Sequence, residues 1–433
     1  MMPTTYHTLA SRRIRHSLQL LGTGIGCLFF GISLTAQSLD SLLSQVWQSY
    51  PELTALDLAY DAGQLAGRQI DRLPDPEFQL GVFVLPVETR TGTQRIQLGA
   101  TQKLPWPGKL AARAALADSR SRPLVEKRAA RALELALTFR EAYYEAGLRE
   151  AERVQLRSFL PLYDLLETRV LARIENGLGS TVGAYQLALE RQRLDYRIRT
   201  SAAEKLVPEA RMRALLPDLP RSIDYQLPDY RLDTIAIRRA IGQLTGRHPR
   251  LRIYAEQLAI REAALAANEY ALKPDLAVGL TYISVDARTD ADPVGNGRDI
   301  LGPRVGIKLP LDKRAYRARK EQEELGMRQI AAETATTHLQ LQGQVAAALA
   351  SFAPAELEVE FIQQQLATLT PALEVARAEY GEDRRPLEEL LRLEERVLEL
   401  RLLLVRNQYR RAILVARLAN WLAVHPDQIS TNE

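Results

Sequence analysis

Four segments of the chain alternate between apolar residues and polar or small ones. They lie at about 77–86, 95–104, 275–284 and 300–309, with Phe78, Leu80 and Val82 as an example in the first. Because successive side chains of a strand point to opposite faces, the pattern predicts four strands with one apolar face each. Each has the length of about ten residues that a tilted membrane strand requires, although the alternation also suits a half-buried sheet of a water-soluble protein.

The opposite faces of these strands carry small, polar or basic residues, which favours contact with water. The polar and charged members are Arg95, Gln97, Thr101, Lys103, Arg304 and Lys308. We expect them to line the hydrated lumen of a barrel. Four strands are fewer than the eight or so that close the smallest barrel, so the barrel would be shared between chains. Three chains would supply 12 strands. The connections at 86–94 and 285–299 are typical of solvent-exposed loops.

Long segments with helical periodicity flank the strands. In the first half they lie at about 39–72, 108–176 and 180–216, and in the second at about 236–272, 312–380 and 386–423. The two shorter segments of each half together match the longer one, which at 1.5 Å per residue would be roughly 100 Å long. Apolar residues of the last segment recur three and four positions apart, as in a coiled coil. Five internal prolines predict kinks or breaks: Pro123, Pro161, Pro208, Pro354 and Pro371.

Short motifs recur in the same order in both halves of the chain. Ala-Arg-Ile-Glu-Asn-Gly at 172–177 returns as Ala-Arg-Ala-Glu-Tyr-Gly at 376–381, and Lys-Leu-Pro at 103–105 returns at 308–310. Pro-Asp at 74–75 and Tyr-Pro-Glu-Leu at 50–53 have counterparts at 274–275 and 248–251. We interpret this as a duplication, with one repeat at 37–216, a Pro-rich linker at 217–233, a second repeat at 234–425 and a tail at 426–433.

The first 36 residues resemble a secretory signal peptide. Arg12, Arg13 and Arg15 precede an apolar stretch, and Ala36 offers a small residue for cleavage. An uncleaved membrane anchor or a lipoprotein modified at Cys27 are alternatives. The rest of the chain has 54 basic and 53 acidic residues. It therefore lacks the excess of positive charge that favours binding to nucleic acid. Cys27 is the only cysteine, so we expect no cysteine-bound metal and no cofactor.

Two turns join the long helical segments at the end opposite the strands. Glycine followed by a Ser or Pro marks the end of one helix and the start of the next. The residues of these turns are Asn176, Gly177, Leu178, Gly179 and Ser180 in the first repeat, and Tyr380, Gly381, Glu382, Asp383, Arg384 and Arg385 in the second.

The order of these motifs resembles the TolC-type outer-membrane factor family. The similarity extends over about 40–425 and is carried by Leu-Pro-Asp-Pro at 73–76, Lys-Leu-Pro-Trp at 103–106 and the turns. It implies a mainly α fold of two helix–strand–strand–helix–helix repeats. In a homotrimer, a long periplasmic α-helical barrel would continue a 12-stranded β-barrel in the outer membrane.

The resemblance also implies a passive exit duct for an efflux system. The two turns would dock a periplasmic adaptor (membrane fusion) protein, which connects to an inner-membrane pump of the resistance-nodulation-division or ABC type. Gating residues would lie just after the turns, where Gln186, Glu190, Glu388 and Glu389 are candidates. For any one of them, a position on a solvated helix face is the favoured alternative.

Two other functions compete with the efflux duct. One is the outer-membrane duct of a type I polypeptide secretion system. The other is a periplasmic coiled-coil scaffold with a small soluble sheet. Carboxylate pairs such as Asp290 and Asp292 could suggest an enzyme, but no nucleophile elbow, metal-ligand set or phosphate-binding loop accompanies them, so we expect none.

Overall fold

The computed structural model describes residues 38–177, 180–382 and 384–431. The proposed signal peptide with Cys27 and the turn residues Leu178, Gly179 and Asp383 lie outside these ranges. The described part belongs to one compact unit, Gln37–Glu433. None of its helices combines the length and the apolar character that crossing a membrane requires.

The first repeat contains six helices and two strands. They are α1 (Leu39–Ser49), α2 (Pro51–Ile70), β1 (Glu77–Thr89), β2 (Gly92–Leu104), α3 (Lys109–Ser119), α4 (Arg122–Ser158), α5 (Leu160–Glu175) and α6 (Thr181–Leu215). The order of elements is the predicted one. The leading helical segment is divided before Pro51, which provides the first turn of α2.

The second repeat follows the same plan with fewer breaks in its long helix. A short strand β3 (Arg231–Leu232) precedes it. Its elements are α7 (Thr234–Gly242), α8 (Leu244–Arg247), α9 (Pro249–Glu269), a 3-10 turn (Tyr270–Leu272), β4 (Asp275–Asp286), β5 (Ile300–Lys308), α10 (Arg314–Gly381) and α11 (Leu387–Leu422). A 3-10 turn (Pro426–Gln428) and strand β6 (Ser430–Thr431) end the described chain.

The five internal prolines act in two different ways. Pro123 and Pro161 stand in the first turns of α4 and α5, so the long segment of the first repeat is interrupted as expected. In contrast, α6 continues through Pro208, and α10 continues for 68 residues through Pro354 and Pro371. The expectation of a kink or break is therefore wrong for a break at these three positions, where the helices continue. A proline costs an intrahelical hydrogen bond, and packing of the helix along its length against a neighbour can offset that loss.

The four long strands form one antiparallel sheet in the order β1-β2-β4-β5. The β1–β2 hairpin is longer than predicted, because both strands continue to a two-residue turn at Arg90 and Thr91. Gly92 has φ +133°, and a methyl group there would lie 1.7 Å from the carbonyl oxygen of Asp286. The tight turn therefore needs glycine, and the predicted loop at 86–94 is mostly strand.

The segment at 217–233 is packed against the helices. The hydroxyl of Tyr143 donates to the carbonyl oxygen of Asp224 (3.1 Å) and accepts from the backbone N–H of Gln226 (2.8 Å). The Tyr225 ring lies 5.1 Å from the Tyr143 ring. Strand β3 pairs with β6. The link between the repeats thus forms a strap that is held by helix α4 and by the chain's end.

Two apolar clusters hold the helices together. The larger lies around the strap and includes Phe139, Tyr143, Leu244 and Val415. The smaller lies towards the helix turns and joins α5, α6, α10 and α11 through residues such as Leu166, Leu187 and Leu390.

Gly147 provides a test of how closely the strap packs. A methyl group there would lie 2.8 Å from Cε1 of Tyr409 and 3.0 Å from Cβ of Tyr225. We expect Gly147→Ala to lower the free energy of unfolding by about 1–3 kcal/mol, because the crowded neighbours are themselves packed. Chemical denaturation of the purified protein, followed by circular dichroism, measures the change.

Gly343 in α10 is the matched control. It lies within the helix and has no atom within 4 Å of the position of an added methyl group. Gly343→Ala should stabilise the protein by about 0.5–1 kcal/mol. Equal effects of the two substitutions would contradict the close packing at Gly147.

Candidate functional site

The register of the sheet gathers most of the large apolar residues of the four strands on one face. Leu80 lies opposite Leu98, Leu98 opposite Tyr282, and Tyr282 opposite Leu301. The remaining large apolar members are Phe78, Val82, Ile96, Leu276, Val278, Leu280, Val305 and Ile307. The face is open: Phe78 is 78% exposed and Val305 is 72% exposed. An apolar surface of this extent marks an interaction with a partner or a membrane.

The other face carries five of the six residues predicted to line a lumen. Thr101 lies opposite Gly279, which lies opposite Arg304. Gln97 lies opposite Gly81, Lys103 opposite Ala277, and Lys308 opposite Asp275. Arg95 is at a register shift between Gln94 and Ile96, and its Nε lies 2.5 Å from Asp286 Oδ2.

Acidic partners of these cations were missed by sequence reasoning. Lys103 forms an ion pair with Glu77 on the neighbouring strand, and Arg95 pairs with Asp286. Glu77 begins β1 and Asp286 ends β4, so both could have been found by extending the alternating pattern by one or two residues. The polar face is therefore less strongly basic than the predicted set alone indicates.

The outer strands β1 and β5 have one neighbour each within the described residues. Pro86 lies in β1 and Pro303 in β5. Proline lacks an N–H group for the ladder, and within sheets it occurs mainly on edge strands or at bulges. Both edges of the sheet therefore present unpaired backbone groups.

The two helix turns lie side by side. A methyl group on Gly381 would lie 3.2 Å from Nη1 of Arg169 in α5, and one on Gly183 in α6 would lie 3.4 Å from Leu387. Tyr380 is buried in the smaller apolar cluster. Burial raises the pKa of its hydroxyl, while Arg169 and Arg173 act in the opposite direction.

The described residues of the first turn are Asn176, Gly177 and Ser180. Gly177 has φ +73° with no atom within 4 Å of an added methyl group. The side chain of Asn176 donates to the carbonyl oxygen of Ala172 (2.7 Å) and ends α5, and Ser180 precedes α6. The glycine conformation is that of a helix C-terminal cap, as the sequence predicted.

The second turn is rich in ion pairs. Arg385 donates to Glu379 (2.7 Å) and to Glu389 (2.9 Å), and Arg384 pairs with Glu382. The pKa of the Arg385 guanidinium is raised, mainly by its hydrogen bond to Glu379. These exposed charges give the turn a polar surface.

The gating candidates do not form one cluster with a shared partner. Glu389 pairs with Arg385 of the turn, whereas Glu190 pairs with Arg193 of its own helix (2.6 Å). Glu388 lies in the first turn of α11. The Oε1 atom of Gln186 is buried and has no hydrogen-bond partner among the described atoms.

A buried carboxylate that sequence reasoning missed lies one helix turn beyond the candidates. Glu394 of α11 is fully buried and accepts two hydrogen bonds from Arg377 of α10, at 2.6 and 2.9 Å. Hydrogen bonding to Glu394, together with the negative charge of Glu394, raises the pKa of the Arg377 guanidinium. The bidentate pair joins the two helices of the second repeat near the turn.

No group of three or more His, Cys, Asp or Glu side chains is placed to hold a metal ion in the part of the chain that the structure describes. Asp290 of the enzyme alternative pairs with Arg288 (2.6 Å), and Asp292 contacts Asn296. Neither interaction assembles a catalytic group.

Several solved structures are similar to this chain over most of its length. CusC, described with reference to transmembrane channel formation, matches at 17% sequence identity over 90% of this chain and 93% of its own, with a TM-score of 0.69. VceC of Vibrio cholerae matches at 18% identity over 89% and 96%, with a TM-score of 0.65. The open state of the MtrE outer membrane channel of Neisseria gonorrhoeae matches at 16% identity over 90% and 89%, with a TM-score of 0.67.

This chain has the fold of the TolC-type outer-membrane channels. The predicted mainly α architecture with two helix–strand–strand–helix–helix repeats is confirmed. At this level of sequence identity the likeness concerns the fold. No protein-family model and no curated protein matches the sequence.

The pair of Arg377 and Glu394 predicts an effect on stability near the turns. We expect Arg377→Met to lower the free energy of unfolding by about 2–4 kcal/mol, because it leaves a fully buried carboxylate without its partner. Arg396→Met is the control, since Arg396 and Glu399 are 3.5 Å apart and both exposed; it should cost less than about 1 kcal/mol. Denaturation midpoints measure both, and equal losses would contradict the role of the buried pair.

Proposed function

We propose that the protein is the outer-membrane channel of a tripartite efflux system and acts as a passive exit duct. The observation that carries the proposal is the sheet: one face is mainly apolar and exposed, the other is mainly polar, and neither edge is paired with another strand among the described residues. In hydrocarbon every backbone N–H and C=O group must be paired within the protein. A sheet with two open edges meets this requirement only by joining further strands.

Three copies of the chain would provide those strands. The four long strands have 9 to 13 residues, enough for a tilted membrane strand of about 9–11. Joining β5 of one copy to β1 of the next would close a barrel of 12 strands. The apolar face would contact lipid, and Gln97, Thr101, Lys103, Arg304 and Lys308 would line the lumen with Arg95. The signal peptide at 1–36 would direct export.

The helices would continue the duct into the periplasm. At 1.5 Å per residue, the 68 residues of α10 span roughly 100 Å. The two turns at 176–180 and 380–385 would lie at the end remote from the sheet and would dock a periplasmic adaptor. The ion pairs of the second turn give it a polar surface that suits a partner that engages reversibly. A pump of the resistance-nodulation-division or ABC type would supply the energy, and the duct itself would need no cofactor.

The apolar face of the sheet can be tested with two adjacent residues of β4. Leu280→Lys places a charge on the apolar face, and Thr281→Lys places the same charge on the polar face, where Gly99 and Gly302 lie opposite. A charge on a lipid-facing strand costs about 2–4 kcal/mol near the middle of the bilayer. We therefore expect Leu280→Lys to reduce the trimer in outer-membrane fractions severalfold, with little change for Thr281→Lys.

The two variants are matched in position and chemistry. Trimers resolved on gels without heating give the measurement. Equal assembly of both variants would contradict lipid contact on this face, and recovery of the wild-type protein in the soluble fraction would favour the periplasmic scaffold.

The docking surface can be tested with a photo-crosslinking residue at Glu382 in living cells. Its side chain is exposed in the second turn. We expect it to capture an adaptor, and mass spectrometry of the complex would identify the associated pump. The same residue at Ile235, an exposed position of α7, is the control. A proton-driven pump in the complex would support efflux, and an ABC exporter would move the protein to polypeptide secretion.

A further inference from the structure

The two ends of the sheet differ in charge. Around the strand ends that adjoin the helices, the segments 71–77, 103–109, 273–275 and 308–317 contain eight basic and five acidic residues. Around the hairpin ends, the segments 85–95 and 284–299 contain four basic and five acidic residues. The excess of positive charge is therefore confined to the end next to the helices.

Most acids at this end are already paired. Glu77 pairs with Lys103, Asp275 pairs with Lys109 at 2.7 Å, and Asp312 contacts Arg314 at 4.0 Å. Five further cations are exposed, and none has an acidic side chain within ion-pair distance among the described residues. One of them, Lys308, belongs to the polar face of the sheet. We call the other four the basic collar: Arg72, Lys273, Lys313 and Arg317.

Exposed apolar side chains lie beside the basic collar. Leu73 follows Arg72, and Leu309 and Leu311 lie between the end of β5 and Lys313. Leu311 is 86% exposed, and Leu73 and Leu309 are also exposed. These leucines lie within a few residues of the start of β1 or the end of β5. Trp106, a residue type favoured at the membrane–water interface, is partly exposed at the same level, where its backbone N–H donates to Oδ1 of Asp275 (3.4 Å).

We propose that the basic collar binds the phosphate headgroups of anionic glycerophospholipids in the periplasmic leaflet of the outer membrane. The proposal rests on the proposed function, which places the sheet in that membrane. Cations without protein partners attract an anionic lipid surface, and several of them act together. Adjacent leucines would contact the first carbons of the acyl chains.

The apolar neighbours favour a lipid over a free anion as the ligand of the basic collar. A free phosphate would gain nothing from Leu73, Leu309 and Leu311, whereas a lipid satisfies both the cations and the leucines. The position of the collar also favours a glycerophospholipid over lipopolysaccharide. The collar adjoins the helices and lies at the opposite end of the strands from the hairpin loops. A collar at this end would fix the depth of the sheet in the bilayer.

The test uses the full-length trimer in lipid nanodiscs that contain equal amounts of phosphatidylethanolamine and phosphatidylglycerol. Native mass spectrometry counts the lipids that stay bound to the trimer after it is released from the nanodisc. For the wild type we expect phosphatidylglycerol to be retained at least about fivefold over phosphatidylethanolamine. The variant Arg72→Gln, Lys273→Gln, Lys313→Gln, Arg317→Gln should lose this preference.

The control variant removes four other exposed cations without acidic partners, all on helices: Lys127→Gln, Arg157→Gln, Arg238→Gln and Arg239→Gln. It has the same charge as the collar variant and should keep the preference. Raised salt should weaken the wild-type preference, since the collar is exposed.

Several outcomes would overturn the proposal. Equal loss in both variants would show a general charge effect, and equal retention of the two lipids by the wild type would show no recognition. Displacement of phosphatidylglycerol by inorganic phosphate, or by lipid A at equal concentration, would assign the site to a different anion. Retention of neither lipid by a protein that stays soluble without detergent would instead defeat the proposed function itself.

Discussion

The pairing of backbone hydrogen bonds in the four-stranded sheet is the constraint on which the other features depend. The backbone groups of the inner strands β2 and β4 are paired, since each of these strands has two neighbours. The outer strands β1 and β5 each have one neighbour among the described residues, and one face of the sheet is mainly apolar and exposed. Such a surface would aggregate in water. Closure with further strands in a membrane resolves both problems at once, because it pairs the edges and places the apolar face in lipid.

The long helices need interactions that fix their register along one another. A seam of apolar residues alone allows such rods to slide. Here four buried carboxylates join four helix pairs in a closed circuit. Glu126 of α4 pairs with Arg252 of α9, Glu152 of α4 with Arg406 of α11, Glu323 of α10 with Arg261 of α9, and Glu394 of α11 with Arg377 of α10. Buried ion pairs add little stability, but a shift of one turn would break each of these interhelical pairs, and Glu394 would lose its buried partner Arg377. We infer that they specify register.

The two repeats use the same plan with different mechanics. Motifs that recur in the sequence mark the same structural events, such as the helix starts at Pro51 and Pro249. The long helix of the first repeat is divided at two prolines, whereas its counterpart α10 is continuous. The strap at 217–233 belongs to neither repeat, yet it anchors both, because Arg411 of α11 donates to the carbonyl oxygen of Tyr230 (2.6 Å) and Tyr143 of α4 holds its other side.

The sequence by itself determined the elements and their faces. The period of two at 77–86 or 275–284 and the glycines at the helix turns are local signals, and local backbone sterics and burial decide them. Only the tertiary structure decided that β2 lies beside β4, that α10 continues through Pro354, and that Glu394 is buried against Arg377. These features depend on contacts between residues far apart in the chain or on packing along a whole helix. No local pattern contains that information, because the same residues would be solvated in a different neighbourhood.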